Sequence, residues 1–280
     1  MQTFLLIIFS LVFSSAFAQN KEIEDQIKYK AIYELTYAPD STDINELKTE
    51  DFNLFLGNKV SIFASRGRTM SDSLKMNLQG RDIGSMDFEE RTKRTKTEFE
   101  SVIYKGFPEE KISYSYKILR DNLRYEEDLN QFSWEILPEN KLIEGYQSQK
   151  ATTTFAGRNY IAWFTSEIPI SEGPYKFNGL PGLILEISDV QNHYNYKLKS
   201  FEKFKNPASV ELKVSHFIKS DKKEILESIK EYKLDPFAVV ERNNTPEKNI
   251  TFGFQPGEKE KLLRENKEKL EKRNNPIELD

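Results

Sequence analysis

Apolar and polar residues alternate along most of this chain, and the dominant period is two. Tyr29, Ala31, Tyr33, Leu35 and Tyr37 interleave with Lys30, Ile32, Glu34 and Thr36, so 29–37 reads as a strand rich in aromatic residues. The apolar runs 52–56 and 60–64 flank Gly57-Asn58, a hairpin signal. From residue 99 the pattern predicts a meander of strands at 99–104, 112–118, 123–125 and 132–136. Gly106-Phe107-Pro108, Asp121-Asn122, Asp128-Leu129-Asn130 and Pro138-Glu139-Asn140 supply turn chemistry between and after them. Strict alternation in 112–118 predicts one buried face and one wet face. Strands at 145–155 and 158–165 follow, joined at Ala156-Gly157. The second carries Tyr160, Ala162 and Phe164 on one face and Ile161 and Trp163 on the other, which places it inside a sheet.

A loop rich in glycine and proline, 173–182, runs straight into the apolar strand 183–187. Leu180-Pro181-Gly182-Leu183 fits a type II turn, with Pro presetting φ and Gly supplying a positive φ. Leu183, Leu185 and Ile187 share one face and Ile184 lies on the other, the signature of a central strand. Residues 194–198 return antiparallel, and 210–214 reads as a last or edge strand. Asp221 and Glu224 form a capping box for a helix at 221–232, whose apolar stripe is Ile225, Leu226, Ile229 and Tyr232 and which Asp235-Pro236 ends. A short strand is read at 250–254. In 257–273 the stripe Leu262, Leu263 and Leu270 is too thin for independent folding, so a surface helix or partly ordered tail is expected. Residues 66–96 hold neither period. They read as a surface excursion with room for a short helix near 71–78, ending in the basic cluster Arg91, Lys93, Arg94 and Lys96. That cluster is either a solvated face or a docking patch for an acidic partner or lipid head group.

Gly179-Leu180-Pro181-Gly182-Leu183-Ile184 is the hexapeptide that names the GLPGLI family of Bacteroidetes, and the chain resembles that family at further blocks. These are Trp134 to Ile136, Lys141 to Tyr146, Lys150 to Thr152, Gly157-Arg158, Ala162 to Thr165, Glu167 to Ile170 and Asn274 to Leu279. The resemblance implies an exported protein and carries over no catalytic residue. Many members carry cysteines near the positions of Ser148 and Thr153. This chain has none, so a redox or metal role resting on those thiols is absent.

Residues 1–18 hold no charged side chain, an apolar run at 4–13 and Ala16-Phe17-Ala18 before Gln19, the pattern of a signal peptide cleaved after Ala18. The apolar run is short of the ~20 residues that span a bilayer, and no cysteine follows to take a lipid. A periplasmic or secreted protein with no membrane span after cleavage is expected. With 280 residues, 38% of them hydrophobic, there is material for an ordinary core. The 41 basic and 45 acidic side chains nearly balance, which speaks against a nucleic-acid surface. The expected organisation is a signal peptide (1–18), one mainly-β domain (19–256) and a charged helix or tail (257–280). The domain is read as a curved antiparallel sheet or open half-barrel of about ten strands with one or two short helices.

Candidate chemistry is sparse. There are two histidines, His193 and His216, too few for a histidine metal site, and no nucleotide, zinc-protease or serine-hydrolase motif is present. No metal or cofactor is expected, and no catalytic residue is assigned. Glu144, Glu167, Glu172, Glu186 and Asp189 lie in or beside the family-like blocks. They keep open a carboxylate pair working as acid and base. Glu186 interrupts an apolar strand, so it is either a wet-face or ion-paired residue or a functional one. Arg158 either binds a ligand carboxylate or pairs with an internal acid. Trp163, Tyr175 and Phe177 form a sticky rim if exposed, with Gly179, Pro181 and Gly182 shaping the turn. The leading expectation is a non-catalytic protein that binds an apolar ligand or an envelope partner through 167–182, at Arg158, Trp163, Glu167, Tyr175, Phe177 and Glu186. A carboxylate-dependent hydrolase and a structural envelope protein are the alternatives. A filled core around the loop favours the structural reading, an apolar cavity favours a carrier, and a cleft between carboxylates favours an enzyme.

Overall fold

A computed structural model describes residues 22–77, 93–242 and 252–279. The expected signal peptide, Arg91 of the basic cluster and the turn-rich linker at 243–246 lie outside the described residues. The strands are β1 (Glu22–Tyr37), β2 (Lys48–Leu56), β3 (Ser61–Ser65), β4 (Val102–Lys105), β5 (Lys111–Ile118), β6 (Asp121–Asp128), β7 (Glu135–Ile143), β8 (Tyr146–Phe155), β9 (Arg158–Thr165), β10 (Leu183–Asp189), β11 (Tyr194–Lys213) and β12 (Ile218–Lys219). They form one 12-stranded sheet in the order β12-β6-β5-β4-β3-β2-β1-β11-β10-β9-β8-β7. Neighbours are antiparallel except β12 and β6, which run parallel. The sheet is therefore mixed, and its edges β12 and β7 do not meet, so it is open rather than a barrel.

The sheet curls tightly. β6 and β8 stand nine places apart in the strand order, which in a flat sheet at ~4.8 Å per strand would separate them by roughly 40 Å. Yet the ring of Tyr125 on β6 lies 5.1 Å and that of Phe155 beside β8's end 5.8 Å from the same Lys176 ammonium. One core fills the concave side: Ala31, Tyr33 and Leu35 of β1, Phe52 and Leu54 of β2, Ala162 and Phe164 of β9, and Leu183 and Leu185 of β10. β10 is central and apolar on both faces, with Leu183, Ile184 and Leu185 all fully buried.

Several expectations are corrected by this wrapping. The helices are four α-helices and one 3-10 turn among the described residues, not one or two: α1 (Arg66–Asn77), the 3-10 turn Val214–His216, α2 (Lys222–Leu234), α3 (Pro236–Arg242) and α4 (Glu258–Glu271). Asp221 caps α2, accepting a 2.8 Å bond from the Glu224 amide. Asp235-Pro236 ends α2 and also begins α3, because the Asp235 carboxylate accepts from the Ala238 amide at 2.9 Å and proline suits the first helical position. Ser113 and Ser115 on the expected wet face of β5 are buried; Val60, Phe107 and Leu212 build a small separate cluster, and Ser113 Oγ donates to the Phe107 carbonyl at 2.6 Å. Residues 210–214 are not a separate strand: β11 continues through 199–211 as a largely exposed ribbon paired with β1, and an exposed ribbon needs no alternation. Pro138 stands inside β7, where an edge strand tolerates the missing N–H. Of the strand read at 250–254, the described residues 252–254 are not extended in a sheet; Phe252 and Phe254 instead pack on Phe237, at 5.0 and 4.8 Å.

The turn before β10 also differs from type II. The Leu183 amide bonds to the carbonyl of Ile168 at 3.0 Å, and the Gly182 amide closes onto the carbonyl of Leu180 at 2.8 Å. That i to i+2 bond is a γ-turn centred on Pro181. Glycine is still required, because Gly182 has φ +152° and a Cβ there would stand 2.0 Å from the Thr165 carbonyl oxygen. Gly145, in the β7–β8 hairpin, also has a positive φ (+86°), but nothing lies within 4 Å of its missing Cβ. Gly182→Ala is expected to cost about 3 kcal/mol or more, and Gly145→Ala about 1 kcal/mol. Urea unfolding of the two variants checks this, and equal losses would mean that the β10 entry relaxes freely.

Candidate functional site

A loop usually lies on the surface because its backbone groups need water, but residues 173–178 are all buried. The sheet wraps around them, and side chains replace the water. The Lys105 ammonium donates to the carbonyls of Gly173 (2.7 Å) and Phe177 (3.1 Å), Trp134 Nε1 to that of Asn178 (2.8 Å), and Asn178 Nδ2 to that of Lys176 (2.9 Å). Lys105 also contacts Glu172, whose other oxygen accepts from Ser61 Oγ at 2.9 Å. Burial lowers the Lys105 pKa, with Glu172 opposing the shift.

Lys176 is the second buried cation. Its ammonium lies 2.5 Å from Glu127 Oε2 and 2.5 Å from Glu278 Oε1, and 3.2 Å from the Tyr125 hydroxyl. Glu278 also accepts from Tyr175 Oη at 2.5 Å and meets Lys222 of α2 at 2.8 Å. Burial by itself would raise the Glu278 carboxyl, but the Lys176 charge and bonds from Lys176, Lys222 and Tyr175 outweigh it and hold the pKa below its ordinary 4.5. The expected aromatic rim is therefore corrected: Tyr175 and Phe177 are core. Phe177 lies 4.7 Å from Tyr160, 5.3 Å from Phe132 and 5.7 Å from Phe155, centroid to centroid, and Tyr175 is held at φ +54°.

The remaining predicted residues separate. Arg158 is buried, pairing with Asp189 at 2.9 Å and donating to Asn275 Oδ1 (2.6 Å) and the Pro276 carbonyl (2.7 Å), so it clamps the segment 273–279. Trp163 is on the other face of β9, under the Lys141 ammonium at 4.4 Å, and Lys141 in turn pairs with Glu186 at 2.5 Å. Glu167 is exposed and accepts from the Gln147 amide at 2.7 Å. Gly179 and Pro181 are exposed while Gly182 is buried. His193 Nδ1 lies 3.3 Å from Arg158. Glu167, Glu172, Glu186 and Asp189 thus hold different partners and do not converge, and no cluster of three potential metal ligands occurs among the described residues.

What the fold does bring together was not singled out from the sequence. A cavity of about 240 Å³ is lined by six tyrosines: Tyr37 of β1, Tyr114 and Tyr116 of β5, Tyr175 of the buried loop, and Tyr194 and Tyr196 of β11. Phe99, Pro276 and Ile277 complete its apolar wall, while Glu98, Glu100, Lys233 and Arg273 add charge. Tyr37 is clamped by Phe99 edge-on at 5.1 Å and by Tyr194 stacked at 6.0 Å. Burial pushes the Tyr114 phenol up to about 12 and raises those of Tyr37, Tyr116, Tyr194 and Tyr196. These hydroxyls are neutral donors at physiological pH. Alternation does mark the five strand tyrosines as sharing a face with apolar neighbours, and Tyr175 carries no such mark, but their convergence depends on the curl, which brings β5 to β1 and β11.

Residues 155–186 match a family described as "Protein of unknown function (Porph_ging)". This overturns the GLPGLI assignment: the matched family is a different one, and it covers the β9 strand, the buried loop and most of β10. No curated protein matches the chain. Among solved structures, the chain is similar to PNGF-II in its C2 form, with a TM-score of 0.50, 12% identity and 72% of this chain covered. The P21 form of PNGF-II gives 0.49, 13% and 72%. The similarity covers 32% of each PNGF-II chain, so this chain spans about a third of those structures' length.

Because Lys176 neutralises two carboxylates in the interior, Lys176→Met is expected to cost about 3–5 kcal/mol, and adding Glu278→Gln should restore part of the loss. Glu278 has a depressed pKa, so its contribution is complete above pH 4.5 and is lost as pH falls through the lowered value. Glu278→Gln should therefore flatten the acid limb of the stability profile. Urea unfolding from pH 3 to 7 measures both effects, and a Lys176→Met protein as stable as its parent would remove the role given to this ammonium.

Proposed function

We propose that the protein is an exported, non-catalytic binding protein that holds a small ligand in the tyrosine-lined cavity. The observation that carries this reading is the cavity itself. A concave site walled by six tyrosines with Phe99, Pro276 and Ile277, and carrying a small set of charged groups, is how binding sites for small, mostly apolar molecules are built. The buried loop takes part from within, through Tyr175, rather than as a rim. Against a carboxylate hydrolase stands the engagement of the candidate carboxylates: Glu172 holds Lys105, Glu186 holds Lys141, and Asp189 holds Arg158. Export rests on the apolar run at 4–13 with Ala16-Phe17-Ala18 behind it. No helix among the described residues is long and apolar enough to cross a membrane.

Two measurements test the reading. Indole, a neutral probe of suitable size, should bind the mature protein in a calorimetric titration. Ser101 lines the cavity, so Ser101→Phe should abolish binding while the melting temperature changes by no more than a few degrees. Absence of indole binding by the wild type, or equal binding by the filled variant, would overturn the site. Intact-mass measurement on the protein recovered from the periplasm or medium should find Gln19 as the first residue, and retention of 1–18 would overturn export.

A further inference from the structure

We infer that the cavity selects a small planar aromatic carboxylate, with its ring between the tyrosine walls and its carboxylate on the Lys233 ammonium and the Tyr116 and Tyr196 hydroxyls. This rests on the reading of the cavity as a binding site and adds the chemistry of what enters it.

Most buried tyrosine hydroxyls among the described residues bond to the protein. Tyr33 donates to the Ile184 carbonyl at 2.7 Å, Tyr194 to that of Asn275 at 2.6 Å, and Tyr160 to that of Ile277 at 3.2 Å. Tyr175 donates to Glu278. Tyr196 is 2% exposed and Tyr116 is 5% exposed, yet neither hydroxyl has a hydrogen-bond partner among the described residues, and both line the cavity. Neither is among the sealed, unpartnered atoms of the interior, so each hydroxyl opens onto the cavity and is free to bond what enters it. Two phenols whose pKa values are raised by burial can offer protons, so an acceptor suits them.

Charge gives the same answer. Glu98 is taken up by Lys269 and Arg273, and Glu100 faces Arg68 at 3.8 Å. Lys233 of α2 lies over the Tyr116 ring at 5.7 Å and has no carboxylate within ion-pair distance among the described residues, the Glu100 charge acting on it from further off. The buried lysines, by contrast, are paired, Lys105 with Glu172 and Lys176 with Glu127 and Glu278. An ammonium resting on the Tyr116 ring, in a cavity onto which two unpaired phenols open, is a site for an anionic, acceptor-bearing head. The rest of the ligand is set by shape. A cavity of roughly 150 Å³ accepts benzene, so the space here, about 240 Å³, takes one or two fused rings with a carboxylate. A sugar of the same size would leave most of its hydroxyls against tyrosine faces.

The test compares indole-3-carboxylate with indole on the mature protein by calorimetry at pH 7. The acid is expected to bind about ten- to hundredfold more tightly, as a charge-assisted contact provides. Lys233→Met should bring the acid down to the level of indole, and Tyr196→Phe should weaken the acid several-fold at an unaltered melting temperature. Equal affinity of the wild type for acid and neutral compound overturns the inference while the binding cavity stands. Binding of neither overturns both. The wild-type comparison needs no variant, so it decides the matter even if a substitution fails to fold.

Discussion

The interior of this protein depends on neutralising Lys176. An ammonium with no exposure to water is unfavourable by several kcal/mol unless its partners are close and fixed, and here they come from two distant parts of the chain. Glu127 arrives from β6, Glu278 from the C-terminal segment, and Tyr125 supplies a hydroxyl and a ring. None of the partners is near Lys176 in sequence. Meeting these requirements curls the sheet, seats the loop 173–178 and fixes the position of 273–279 in one arrangement. Lys105 does the same for the backbone, since its donations to Gly173 and Phe177 stand where a surface loop would have water.

The segment 273–279 is the other half of that arrangement. Arg158, already neutralised by Asp189, uses its second nitrogen on Asn275 and Pro276. Asn275 in turn bonds the Ala38 carbonyl at 2.8 Å, and Leu279 closes on Ala156 at 3.0 Å. The strap therefore ties the end of β1 to the β8–β9 hairpin. It also carries Pro276 and Ile277 into the wall of the tyrosine cavity, so the groups that complete the fold and those that shape the cavity are continuous. Arg158 acts through this strap and touches no ligand space.

Much of the fold was legible in the chain itself. Period-two alternation, Gly57-Asn58, Ala156-Gly157 and the Asp221 cap all act over a few residues, and the corresponding β2–β3 and β8–β9 hairpins and helix α2 form as they direct. The doubly apolar run 183–187 marked a central strand, because only a strand covered on both sides tolerates that composition. Gly182 was also marked as indispensable. The reason for it was only half legible, since the clash with the Thr165 carbonyl belongs to another strand.

Tertiary structure decided the rest, and the reason is common to each case. Exposure of Tyr175 and Phe177, the partners of Arg158 and Lys176, and the meeting of Tyr37, Tyr114, Tyr116, Tyr194 and Tyr196 are all set by the curl of a 12-stranded sheet. That curl comes from contacts between residues far apart in the chain, such as Lys176 with Glu278, and no local pattern encodes them. A glycine- and proline-rich loop reads as surface because water is the usual partner of its backbone. Here lysine, tryptophan and asparagine side chains replaced that water, and the same residues that looked like a binding rim became the core against which a cavity is formed.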